Sequence, residues 1–127
     1  MTRQLDKFIS DNRICMESHL VDSNPNISDM PQGSRHWKCV LRYRQRQMTV
    51  PFSQGPAIEH EPTVGDVLEC LASDSEGFGQ SFDDWCRDYG YNTDSRQAER
   101  IYKTTYRQVN SLKRFLGPVL FNKLMQR

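Results

Sequence analysis

Between His36 and Ser53, in HWKCVLRYRQRQMTVPFS, apolar residues fall on every second position twice over: Trp37, Cys39, Leu41 and Tyr43, then Met48, Val50 and Phe52. A period of two marks a strand with one buried face, so the stretch predicts a β-hairpin over 36–53. A turn at Gln45 and Arg46 sets Tyr43 opposite Met48, Leu41 opposite Val50 and Cys39 opposite Phe52. The other face then carries Lys38, Arg42 and Arg44, with Arg46 at the tip. Pro51 has no N–H for a ladder and predicts an edge position or the end of pairing. Upstream, ICMESHLV at 14–21 predicts another strand. Before it, Leu5, Phe8 and Ile9 have helical spacing, and Ser10, Asp11 and Asn12 read as the stop of a short helix.

Beyond the hairpin the period changes to that of a helix. Thr63 is placed to cap a helix whose Val64, Val67, Leu68 and Leu71 share a face, weakened slightly by Gly65. Ser81 caps a second, with Gly90 just past its end and Phe82, Trp85, Cys86 and Tyr89 as core positions. From Asp94 or Ser95 a longer helix gathers Ala98, Ile101, Tyr102, Thr105, Val109, Leu112 and Leu116 on one side, until Gly117 and Pro118 end it. VLFNKLMQR adds a short helical segment, and DSNPNISDMPQGS at 22–34 is a loop by its turn residues. The elements predict an α+β fold: a small antiparallel sheet of about three strands packed with helices. At 127 residues the chain is one typical domain, so 1–127 is taken as one unit.

Charge changes this picture more than composition does. The net charge of +1 conceals segregation along the chain. Residues 35–58 carry Arg35, Lys38, Arg42, Arg44 and Arg46 and no acid; residues 59–94 carry ten acids against Arg87; residues 95–127 carry eight basic residues against Glu99. On the long helix Arg96, Arg100, Lys103, Arg107 and Arg114 gather opposite the apolar side. Arginine suits bidentate contact with phosphate or carboxylate, so this stripe predicts binding to a polyanion or an acidic protein surface. An ordinary solvated face, neutralised by the acidic segment, is the alternative. Should the hairpin arginines share a surface with the helix, the joint patch would track a phosphate backbone, DNA or RNA. The acidic run of Glu59, Glu61, Asp66, Glu69, Asp74, Glu76, Asp83, Asp84 and Asp88 is open to three readings, a solvated face, a surface for an arginine-rich partner, or a metal site, with Asp83, Asp84 and Asp88 as the partner-binding candidates.

Signals for chemistry are few. His36 and Cys39 would leave a strand on opposite faces, with no second pair to complete a zinc site. There is no P-loop, no G-x-S-x-G and no G-x-G-x-x-G, and HEPTV lacks the second His of a zinc protease. No cofactor, metal or catalytic residue is expected. Cys15, Cys39, Cys70 and Cys86 are widely spaced without a C-x-x-C, which predicts a reducing compartment and core positions. No stretch is long and apolar enough to span a membrane, and the N-terminus lacks the apolar core of a signal peptide.

Several stretches are distinctive: DSNPN at 22–26, MPQGSRHWKC at 30–39, MTVPFSQG at 48–55, EPTVGDVLECLASD at 61–74 and SFDDWCRDYGYNTDSRQAERIY at 81–102. Together they resemble a family of small uncharacterised proteins of bacteriophages, prophages and other mobile elements. The resemblance carries no catalytic residues. It implies an accessory protein in a bacterial cytoplasm, similar in role to anti-CRISPR inhibitors, with a host defence nuclease or CRISPR effector as partner. A nucleic-acid-binding accessory in phage replication or recombination is the other function expected.

Overall fold

The computed structural model describes residues 3–21, 32–76 and 81–126. In chain order they form α1 (Arg3–Asn12), β1 (Cys15–Val21), β2 (Arg35–Tyr43), β3 (Arg46–Gln54), α2 (Val64–Glu76), α3 (Phe82–Tyr89), α4 (Arg96–Leu116) and α5 (Pro118–Met125). The strands pair antiparallel in the order β1-β2-β3, giving the α+β architecture that the two periodicities predict. Of the 22–34 loop, residues 22–31 lie outside the described residues.

One face of the sheet is covered by helices. Trp37, Cys39, Leu41, Tyr43, Met48 and Val50 are buried against Leu5, Val67, Leu68, Leu71, Leu112, Phe115, Leu116 and Leu124. The other face carries Glu17, His19, Lys38, Arg42, Gln47 and Thr49, as expected of an antiparallel sheet wet on one side. Pro51 lies on β3, an edge strand, where a missing donor costs no ladder bond.

The hairpin turn sits one residue earlier than expected, which shifts the pairing register by two. The turn is Arg44 and Gln45, with Tyr43 opposite Arg46, Leu41 opposite Met48, Cys39 opposite Val50 and Trp37 opposite Phe52. A shift by an even number keeps every side chain on its face, so the buried set is unchanged. The tight turn forms because Arg44 takes φ 57°, the left-handed first position that a two-residue hairpin of this hand requires. Its guanidinium lies over the Tyr43 ring, 5.3 Å from the centroid.

The first helix also runs further than its stop residues suggest. Ser10, Asp11 and Asn12 are helical: Lys7 pairs with Asp11 at 2.6 Å, and the Asn12 amide donates to the Phe8 carbonyl at 2.8 Å. The chain turns instead at Arg13, φ 54°, whose N–H donates to Ser10 O while that of Ile14 donates to Ile9 O. That pair of bonds is a Schellman ending, built without glycine.

Predicted caps are where expected. Thr63 Oγ1 accepts from the Asp66 N–H and Asp66 Oδ2 accepts from the Thr63 N–H, a reciprocal capping box. Ser81 caps α3 through the Asp84 N–H, Ser95 caps α4 through the Ala98 N–H, and Gly90 closes α3 at φ 77°. Helix α3 packs on α4 in a second, aromatic cluster of Trp85, Cys86 and Ala98 with Phe82, Tyr91, Ile101 and Tyr102. Tyr89, expected in the core, is 52% exposed and leans on Trp85 at 5.4 Å between centroids. The cysteines divide likewise: Cys39 and Cys86 are buried, whereas Cys15 and Cys70 are exposed, because each falls on the solvent side of its element.

Candidate functional site

Helix α4 is amphipathic over 21 residues. Ala98, Val109, Leu112, Phe115 and Leu116 are buried, and Phe115 joins the apolar side in edge contact with Tyr43 at 6.1 Å. The predicted basic residues Arg96, Arg100, Lys103, Arg107 and Arg114 are all exposed on the opposite side. At 1.5 Å per residue the line from Arg96 to Arg114 is about 27 Å long.

These residues are not equivalent. Lys103 is held by Glu99 one turn earlier, Nζ to Oε1 at 2.8 Å, and that contact lowers the Glu99 pKa below the usual carboxylate range. Among the described residues Arg96, Arg100, Arg107 and Arg114 make no ion pair and no side-chain hydrogen bond. The ion pairs among described residues are Lys7 with Asp11, Arg42 with Glu17, Arg87 with Asp84 and Lys103 with Glu99, and His19 lies 3.7 Å from Glu17. None joins the acidic segment 59–94 to the α4 stripe. Two acids of that segment act within their own helices: Asp66 in a capping box and Asp84 beside Arg87 at 3.4 Å.

The hairpin arginines diverge, because each stands at a different place relative to the pleat. Arg42 is on the open sheet face, its Nη1 2.6 Å from Glu17 Oε1; the bond and charge of Arg42 lower the Glu17 pKa. Arg44, expected on that face, is in the turn. Arg46, expected at the tip, begins β3 on the helix-facing side, and its Nη1 donates to the Phe115 carbonyl at 3.1 Å. A cation bonded to a carbonyl in the last turn of α4 also complements the negative end of that helix. The open face bearing Arg42 and the outer side of α4 lie on opposite sides of the two layers, so hairpin and helix do not form one continuous basic track. Arg46 and Arg114 alone of the two sets meet, lining the same surface concavities.

On α3, Trp85 and Cys86 turn inward, leaving Asp83, Asp84 and Asp88 exposed around Arg87. This acidic face is carried by a helix whose inner side packs on α4. His36 leaves the sheet opposite Cys39, as its spacing predicts, and its Nδ1 lies 2.8 Å from Ser53 Oγ. Among the described residues no group of three or more His, Cys, Asp or Glu is placed to hold a metal ion, and no helix is long and apolar enough to cross a membrane. Burial pushes the Cys39 thiol up to about 11, which opposes thiolate formation near neutral pH.

Two features of this surface escape the sequence reading. Tyr106 is 51% exposed beside Lys103 and Arg107, and its spacing from Tyr102 is the usable signal. Lys113 flanks the stripe at the α4–α5 junction, its ammonium 5.5 Å from the Phe121 ring centroid. No protein-family model matches the chain, and no curated protein or solved structure matches it.

Proposed function

We propose that this protein is a non-enzymatic, anti-CRISPR-like counter-defence inhibitor acting in a bacterial cytoplasm. It docks on a host nuclease complex through its charged faces and blocks nucleic-acid access. The observation that carries this reading is the charge that makes no ion pair among the described residues. Four α4 arginines and the α3 acids Asp83 and Asp88 make no ion pair with described residues, although the two helices pack together. Exposed charged faces steer association and select partners more than they hold the fold. The placement of Arg42 on the open sheet face, away from the α4 stripe, favours a discrete protein contact over a groove that follows a duplex. The resemblance of several stretches to proteins of mobile elements supports the setting.

The test is a pull-down of the tagged protein from bacterial lysate, with and without nuclease treatment, followed by cleavage assays on the purified effector it retains. Nuclease-resistant capture of a defence nuclease whose cleavage is then inhibited is the expected outcome. Arg100→Glu with Arg107→Glu, or Asp83→Lys with Asp88→Lys, should abolish inhibition while leaving the far-ultraviolet circular dichroism unchanged. Recovery of nucleic acid alone, lost on nuclease treatment, overturns the reading. It would favour the nucleic-acid accessory, for which affinity falls steeply with salt and the slope weakens when phosphate-contacting arginines are removed.

A further inference from the structure

We infer that the groove between the free edge of β3 and the last turns of α4 takes an extended acidic segment of a partner protein as an added strand. The inference rests on the docking function proposed above and names the chemistry of one contact.

The edge is open at one defined place. A two-residue turn makes Tyr43 and Arg46 the closing hydrogen-bonded pair, so by alternation Gln47 and Thr49 point their backbone N–H and C=O away from β2. Both residues are exposed, and among the described residues no backbone hydrogen bond from outside the sheet reaches either. Pro51 follows with no N–H, which limits the usable edge to a short stretch. Unpaired strand edges of this kind take peptide strands through main-chain bonds.

The wall facing this edge is cationic. Gln47, Thr49, Ser111 and Arg114 border a concavity of about 510 Å³, and a neighbouring one of about 560 Å³ adds Lys113. Arg46 and Arg114 line both, Met48, Phe115 and Phe121 supply apolar floor, and no acid lines either. The Arg46 guanidinium is anchored on the Phe115 carbonyl, so part of this charge is held in place before a ligand arrives.

A peptide matches these features together. Its backbone offers the alternating donors and acceptors that the β3 edge requires, which a phosphodiester chain does not. Alternate side chains of an added strand point to one side, so carboxylates at every second residue reach Arg114 and Lys113 in charge-assisted bonds. The residues between them point away from α4.

The test is a nuclear magnetic resonance titration of the full, isotope-labelled chain with a synthetic peptide of alternating Glu and Val. An alternating Lys and Val peptide and an oligothymidine of equal charge serve as controls. The Glu peptide is expected to shift the amides of Gln47, Met48, Thr49, Ser111 and Phe121 and to slow hydrogen exchange at Gln47 and Thr49. Lys113→Glu with Arg114→Glu should weaken it about tenfold or more, as should Thr49→Pro, which removes an outward donor from an edge that tolerates proline. Arg96→Glu with Arg100→Glu should not. Shifts confined to Arg96–Arg107, unchanged binding in the groove variants, or tighter binding of oligothymidine in the groove would each overturn the inference. Peptide binding that survives in a protein unable to inhibit any nuclease would refute the proposed function alone. Inhibition that survives without peptide binding would refute the groove alone.

Discussion

Asp74 lies in the last turn of α2, where burial raises its carboxyl pKa from 3.8 to about 6. The negative end of the helix acts in the same direction. Replacing it with Asn removes the charge and nearly preserves the shape. The unfolded chain releases this proton near pH 3.8 and the folded protein near pH 6. Between those values the native state binds more protons, so stability from this group is complete below the window and is lost as the pH rises through it. The gap corresponds to a ceiling of about 3 kcal/mol at 1.36 kcal/mol per pKa unit. Because the side chain keeps some contact with solvent, the expected penalty above the window is about 1–2 kcal/mol. Urea unfolding followed by fluorescence of the buried Trp37 and Trp85 measures it. Asp74→Asn should exceed the parent by that amount at about pH 8 and match it at about pH 4, with the same dependence on urea. An equal difference at both pH values, or no gain at the higher one, would show that desolvation of the carboxylate is not the cause.

Arg44→Gly should raise stability by about 0.5–1 kcal/mol, because glycine takes the left-handed turn position without the Cβ cost, less the lost contact with Tyr43; chemical denaturation reads it. Ser95→Ala should cost about 1 kcal/mol through the lost cap on the Ala98 N–H, lowering the urea midpoint without altering the slope. Trp85→Ala should release α3 from α4 before the sheet opens, since the aromatic cluster is separate from the main core. Hydrogen exchange would then rise across Phe82–Tyr89 while the β2 amides stay protected, and uniform loss of protection would argue that the clusters unfold together.

The elements of this protein were legible in its chain because each rests on interactions between near neighbours. Alternation through Trp37 to Tyr43 and Met48 to Phe52 is enough to predict a strand pair and its buried face. Thr63, Ser81, Ser95, Gly90 and Gly117 mark helix ends because caps use bonds spanning only a few residues. The basic side of α4 follows from 100° per residue alone. Where local signals misled, local geometry had an alternative. Arg13 and Arg44 adopt the left-handed conformation usually left to glycine, so neither the end of α1 nor the hairpin register could be placed by looking for glycine. Only the tertiary structure decided which charges meet. Which acids meet which arginines depends on how helices and sheet stack, and that stacking is set by distant apolar contacts such as Tyr43 with Phe115. It turned Arg42 to Glu17, brought Arg46 to the end of α4, and left Arg96, Arg100, Arg107 and Arg114 facing outward with no ion pair among the described residues.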